Sequence, residues 1–375
     1  MSRLRITSPT ELCIERDDGS RFAIHPLWLR ERCLDPKSID LRTGQRLQDA
    51  SDFDPELRIS SVREVERGRL RITFSDGHTA DFLTRDILTE AAMTPGEFDA
   101  PPLGLWDGSL KELPRASWRS APGDAELADW VTRFLRYGFL ILSDVPTEPE
   151  TVLRVAATFG FVRQTNFGTL FDVRSKPEAN DLADTSLALD PHTDNPYRAP
   201  EPGVQLLHCL VNETSGGLST LVDGFAVAEA LRRRDPAAFR VMSQTSVRFR
   251  FRDPVTELMA STPLLDLDVT GRPRAVHFSP RLDYVPLMPP AELTEYYRAR
   301  RVFDHMLRSS EFAIRFLLSP GELMIFDNCR LLHGRTGFDP AEGLRHLQGC
   351  YIDIDAPRSL YRVLRRRAVP APALA

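Results

Sequence analysis

The run Asp190-Pro191-His192-Thr193-Asp194-Asn195-Pro196 sets an imidazole and a carboxylate two residues apart. On an extended segment residues i and i+2 point to the same side, so His192 and Asp194 can converge on one ion. Far downstream, Phe326-Asp327-Asn328-Cys329-Arg330-Leu331-Leu332-His333-Gly334 offers a third group, His333, just after an apolar strand candidate. Two imidazoles and one carboxylate on one face of a metal leave three adjacent positions open. That geometry suits non-haem Fe(II), with two positions for a bidentate 2-oxoacid and one for O2. Arg345 follows His333 by 12 residues, across a turn holding Gly337 and Gly343, on the next strand candidate. A planar guanidinium grips a carboxylate through two hydrogen bonds, which suits Arg345 to the distal carboxylate of 2-oxoglutarate. Ser219, after Gly216-Gly217, offers that carboxylate a hydroxyl. Each piece alone has a plainer reading: a turn for the His-x-Asp pair, a hydrogen-bonded core residue for His333, a surface arginine for Arg345, a routine strand hydroxyl for Ser219. Their joint occurrence in this order carries the inference.

The surrounding elements must bring these residues together. The first ~95 residues read as short strands with tight turns. Hairpins are expected over Leu12 to Ile24 around Asp17-Asp18-Gly19, and over Leu70 to Leu83 around Ser75-Asp76-Gly77, because Asp-Gly supplies the positive φ of two-residue turns. The Pro/Gly-rich residues 96–122 read as a linker. Beyond it Asp124 can cap a helix that stops at Gly138, Phe139 to Val145 is a buried strand candidate, and a second helix over Glu150 to Phe159 stops at Gly160. Strands then dominate: Val204 to Val211, Ser219 to Asp223, Val247 to Phe251, Leu264 to Val269, Ala275 to Phe278, Glu322 to Phe326 and Gln348 to Asp353, interrupted by one long helix over Pro290 to Ser309. Many short strands with turn signals suggest a jelly roll. The expected division is a small β-rich domain over 1–95, the linker, a jelly-roll domain over 123–365 and a tail over 366–375.

With 375 residues, 42% of them apolar, 27% charged, and a net charge of −5, the composition is that of a soluble globular protein without a broad nucleic-acid footprint. The five cysteines are scattered without a CxxC pair, so the expected compartment is the reducing cytoplasm. No apolar run is long enough to span a bilayer, and the N-terminal residues lack a secretory core.

The motifs carry a wider likeness. The chain resembles the γ-butyrobetaine hydroxylase and trimethyllysine hydroxylase family, a branch of the taurine-dioxygenase-like Fe(II)/2-oxoglutarate oxygenases. The matching stretches are His25-Pro26-Leu27-Trp28-Leu29-Arg30-Glu31-Arg32-Cys33 near the start, then His192-Thr193-Asp194, Pro202-Gly203-Val204-Gln205-Leu206-Leu207-His208-Cys209, Val222-Asp223-Gly224-Phe225, Arg330-Leu331-Leu332-His333-Gly334-Arg335 and Arg345-His346-Leu347-Gln348-Gly349-Cys350-Tyr351. The resemblance implies a double-stranded β-helix core with flanking helices and a homodimer. It implies iron ligation by His192, Asp194 and His333, and 2-oxoglutarate contacts from Arg345, Ser219 and the Leu207 main chain.

Two departures from the family pattern matter. Relatives bind a structural zinc through three cysteines and a histidine, but only Cys33 and His78 stand at such positions; Asp35 and Ser38 fall where cysteines are expected. A closed zinc site needs four good ligands, so no structural zinc is expected. In the substrate pocket, aromatic rings that hold a trimethylammonium group by cation–π attraction match Phe167, Phe171 and Tyr351, while a fourth matches Asp184. Each ring has core packing as its plainer reading. At the anionic end a family tyrosine matches Asn195, and two asparagines match Asp181 and Ser279, with Arg281 nearby. This pattern favours 2-(trimethylammonio)ethylphosphonate, hydroxylated beside phosphorus, over γ-butyrobetaine. The partner expected is thus a small zwitterion. A jelly-roll binding protein that keeps a metal without catalysis is the alternative from another class.

Overall fold

The computed structural model describes residues 3–91, 100–174 and 185–368. The chain divides into two compact units, Met1–Glu97 and Phe98–Ala375.

The first unit contains two three-stranded antiparallel sheets, β1 (Arg3–Ser8), β2 (Glu11–Glu15), β3 (Arg21–Ala23) and β4 (Ile59–Glu66), β5 (Arg69–Phe74), β6 (Thr79–Leu83), with helices α1 (Pro26–Arg30) and α2 (Thr84–Ala91). Both Asp-Gly hairpins form, with Gly19 and Gly77 at φ 79° and 83°, where a side chain would strain the backbone. Alternation along β5 buries Leu70, Ile72 and Phe74 against Leu12, Ile14 and Leu29.

The second unit is a jelly roll. Its main sheet runs in the order β10 (Phe171–Arg174), β22 (Arg345–Ile352), β12 (Val204–Asn212), β20 (Leu323–Asp327), β8 (Phe139–Ser143), β7 (Arg115–Ser117), with β9 (Val162–Arg163) beside β22. The facing sheet runs β11 (Leu189–His192), β21 (Leu331–Arg335), β13 (Ser219–Asp223), β19 (Ala313–Phe316). Phe139, Ile141, Leu221, Ile314, Phe326 and Leu331 fill the space between them. The next residues along the main sheet, Leu140, Leu142, Leu206 and Ile325, point outward under helices α3 (Asp124–Tyr137), α4 (Thr151–Phe159) and α8 (Asp355–Ala368). This double burial explains why the strands read as continuous apolar runs. A third core gathers helices α5 (Gly224–Arg234), α6 (Pro236–Gln244) and α7 (Pro290–Arg308) against β14 (Ser246–Arg252) and the β16 (Leu265–Leu267)–β17 (Pro273–Val276) pair. β15 (Glu257–Pro263) and β18 (Asp283–Tyr284) flank β14.

Several elements differ from the sequence reading. Residues 100–122 belong to the second unit rather than forming a free linker. β7 pairs with β8, and Trp106 is buried, its indole N–H donating to the Tyr137 carbonyl at 2.8 Å. An internal ion pair anchors this segment. Arg330 and Asp223, both almost inaccessible, meet at 2.7 Å. Arg330 also donates to the Gly104 and Arg136 carbonyls, each at 2.9 Å, while Asp223 accepts from the Trp106 N–H and the first turn of α5. Buried charges are tolerable only when hydrogen-bonded this completely. Helix α8 runs through 366 to Ala368, so the expected tail starts inside a helix. Helices α5 and α6 were not read from sequence. Among the described residues, no helix is long and apolar enough to cross a membrane.

Candidate active site

His192 closes β11 and pairs directly with His333, which stands inside β21 rather than after a strand. Their rings lie 4.4 Å apart. Asp194 is not on the same strand as His192. The strand ends, Asn195 takes φ 54°, and Asp194 reaches inward from a turn. The i, i+2 geometry expected of a continuous strand is therefore replaced by a bend that brings the carboxylate to the same place. Thr193 holds the bend, its N–H donating to the Phe278 carbonyl at 2.8 Å and its hydroxyl accepting from the Phe278 N–H at 3.0 Å. One ligating atom from each of His192, Asp194 and His333 falls within 4.8 Å of the others.

The protonation states suit a metal. His192 Nδ1 donates to the Asp190 carbonyl at 2.9 Å, which leaves Nε2 with its lone pair facing Asp194 Oδ1 at 3.5 Å. Burial, then the adjacent His192 and Arg281, push the His333 imidazole down to about 3, so it stays neutral. Burial opposes charge on Asp194, but His333, His192 and the Tyr351 hydroxyl outweigh it and hold the carboxyl well below its usual range. Tyr351 donates to Asp194 Oδ2 at 2.7 Å. A neutral imidazole at His333 and an ionised carboxylate at Asp194 are the deprotonated forms that metal binding requires. The donor set of nitrogen and oxygen, with one side left open, fits Fe(II).

Arg345 begins β22 and is 5% exposed. Its Nη2 donates to the Gly217 carbonyl at 3.2 Å, and its buried Nε has no partner. No carboxylate forms an ion pair with it among the described residues. Burial lowers its pKa, the signature of a cation without a counter-charge. Gly217 permits the approach: at φ 66°, a Cβ there would sit 2.7 Å from Arg345 Nε. Ser219, 6% exposed, follows two residues later on β13. Leu207 lies mid-strand in β12, opposite Met324 and Gly349, and packs against the inter-sheet core. A buried guanidinium with no counter-charge among the described residues is the receptor a carboxylate needs, and the chain fits 2-oxoglutarate in this respect.

The expected aromatic set separates into two groups. Phe171 and Tyr351 pack together with centroids 5.1 Å apart, next to Asp194. Phe167, 42% exposed, instead meets Phe251 edge-on at 5.7 Å, and Phe251 stacks on Tyr197 at 5.1 Å. The Tyr197 hydroxyl donates to Asn195 Oδ1, and Asn195 Nδ2 is buried without a partner. Tyr197 and Phe251 were missed from sequence; the only signal was the apolar alternation of Phe249 and Phe251 along β14. Ser279 is 1% exposed, whereas Arg281 is exposed yet within electrostatic reach of His333. Asp181 and Asp184 lie outside the described residues.

In the first unit Cys33, Asp35 and His78 also bring ligating atoms within 4.8 Å of one another. Here the groups bond to each other. His78 Nε2 meets Asp35 Oδ2 at 2.9 Å, Ser38 donates to the same oxygen at 2.9 Å, and Arg30 donates to Ser38 at 3.2 Å. Burial pushes the Cys33 thiol up to about 11. His78 is thus a member of a polar network.

Several known proteins and two family models are similar to this chain. A family model described as taurine catabolism dioxygenase, TauD/TfdA family, matches residues 111–351, and one described as γ-butyrobetaine hydroxylase-like, N-terminal, matches residues 5–88. A γ-butyrobetaine dioxygenase from Pseudomonas sp. (strain AK-1) is 36% identical over 353 residues, covering 93% of this chain and 92% of the relative. The human γ-butyrobetaine dioxygenase is 30% identical, covering 91% of each chain, and the rat mitochondrial trimethyllysine dioxygenase is 28% identical, covering 90% and 82%. Among solved structures, a Burkholderia xenovorans protein assigned to the alpha-ketoglutarate-dependent taurine dioxygenases shares the fold with a TM-score of 0.51 at 15% identity, covering 68% of this chain and 92% of that one.

Proposed function

The chain belongs to the TauD/TfdA dioxygenase family and carries a γ-butyrobetaine hydroxylase-like N-terminal region, and from that premise we propose that it hydroxylates a small trimethylammonium zwitterion, with γ-butyrobetaine as the first reading. The observation that carries the proposal is the Phe171–Tyr351 pair packed beside Asp194, which offers π faces to a quaternary cation next to the metal ligands. With Fe(II) bound, oxidative decarboxylation of 2-oxoglutarate by O2 yields succinate and CO2 and delivers one oxygen atom to a substrate C–H bond. The protein's share is positioning. His192 and His333 present ring nitrogens and Asp194 a carboxylate. Arg345, with the Ser219 hydroxyl and the Leu207 strand, holds the co-substrate. Phe171 and Tyr351 face the cation, while Asn195 and Ser279 serve the anionic end. Fixing both ends of the zwitterion selects the carbon that is presented.

A second reading, 2-(trimethylammonio)ethylphosphonate, draws on one observation: Arg281 adds positive charge within reach of His333. The names of the relatives favour the carboxylate substrate. Succinate formation and O2 uptake should be measured with Fe(II), 2-oxoglutarate and each candidate zwitterion, trimethyllysine included. γ-Butyrobetaine is expected to give the highest kcat/KM. A higher value for the phosphonate, lost in Arg281→Ala, would install the second reading. Absence of coupled succinate with every quaternary ammonium compound would favour a non-catalytic binding protein.

A further inference from the structure

We propose that Asn328 is a positioning residue for the metal pocket: its carboxamide clamps the main chain of Asp194 and so sets where that carboxylate stands relative to His333. Asn328 is 1% exposed and occupies the turn between β20 and β21, five residues ahead of His333. Its Oδ1 accepts from the Asp194 N–H at 2.8 Å. Its Nδ2 donates to the Asp194 carbonyl and to the Pro202 carbonyl, each at 2.9 Å. Its own main-chain N–H donates to the Gly203 carbonyl at 2.9 Å.

The need for such a clamp follows from the bend. β11 stops at His192, so Asp194 lacks the ladder that would otherwise fix a strand residue. An unsupported turn would let the carboxylate drift, and a productive ligand shell tolerates only about 0.5 Å of error. Asn328 supplies to Asp194 the donor and acceptor that a neighbouring strand would have supplied. The same residue closes the loop 194–203, since its side chain grips Asp194 at one end and Pro202 at the other, where its main-chain N–H also holds Gly203. That loop also carries Asn195 and Tyr197. An amide is required: it alone offers one acceptor and two donors at this reach, whereas Asp would turn a second oxygen toward two carbonyls. Because Asn328 and His333 share one turn and strand, the clamp links two of the three ligands directly, across 134 positions of sequence between 194 and 328.

The inference rests on reading His192, Asp194 and His333 as a metal centre, and the test separates the two claims. Co(II) is titrated into metal-free wild type, Asn328→Ala and Asn328→Asp and followed by its visible absorption, with thermal unfolding in EDTA as the check on folding. Wild type should bind one Co(II). Both variants should unfold cooperatively yet bind Co(II) about 10- to 100-fold more weakly, with altered bands. Folded variants with wild-type affinity and spectrum would overturn the clamp alone. Loss of cooperative unfolding in both variants would make Asn328 a folding residue and overturn it too. Failure of wild type to bind Co(II) would remove the metal centre, and the clamp with it.

Discussion

The two histidine-containing clusters invite comparison because each gathers three potential metal ligands within 4.8 Å. In the first unit the lone pairs are already spent: Asp35 bonds to His78 and Ser38, and Arg30 backs the group. In the second unit Asp194 stands 3.5 Å from His192 and 3.9 Å from His333, longer than good hydrogen bonds, while the Asp190 carbonyl and the Tyr351 hydroxyl bond to the triad from outside it. Proximity is therefore common to both, and saturation distinguishes them. A cluster that satisfies itself gains little from an ion, while one propped open from behind has donor atoms to offer.

The largest expected effect breaks the comparison at its centre. His333→Ala should abolish bound Fe(II) or Co(II) and reduce turnover to background, whereas Cys33→Ala should leave metal stoichiometry, measured by elemental analysis, unchanged. Equal metal loss in both variants would refute the contrast.

A second contrast sets Arg345 against Arg30, two arginines each 5% exposed. Arg30 pairs with Asp76 at 3.1 Å, but Arg345 faces no acid among the described residues. Arg345→Gln should weaken 2-oxoglutarate binding by about 2–5 kcal/mol, read by titration of the metal-loaded protein, with no loss of thermal stability in its absence. Arg30→Gln should do the reverse, lowering the unfolding temperature and sparing 2-oxoglutarate affinity.

The smallest effect concerns a buried histidine used by neither cluster. His208 is wholly inaccessible on the outer face of β12, and burial holds it down to about 4 against an ordinary 6.5. The unfolded chain binds that proton first. The stability contributed by keeping His208 neutral is present above pH 6.5 and is lost as pH falls toward 4. His208→Leu should flatten this part of an acid-unfolding curve; an unchanged slope would exclude the residue.

Much of this was legible in the residues. The Asp-Gly turns, the apolar strands and the ligand types all announced themselves locally, because each depends on neighbours within a few positions. What escaped depended on partners far away. Pro/Gly content made residues 100–122 look like a spacer, and nothing in their composition revealed that Trp106 and Gly104 would meet the Asp223–Arg330 pair. Helices α5 and α6 carried readable signals, since Asp223 and Asp235 both cap helix starts and Pro236 follows directly, but strand expectations overrode them. The bend at Asp194 was invisible because it depends on Thr193 meeting Phe278, 85 positions away.

Gly349 has no functional group, yet it decides where a neighbouring ring can sit. It lies opposite Phe171 on the adjoining strand, and a methyl carbon there would fall 2.4 Å from the ring. Exchanging one hydrogen for a methyl at 349 would evict the ring from its seat against Tyr351. The packing around Tyr351, whose hydroxyl meets Asp194, is thus adjustable from a position that contributes no side chain to the triad.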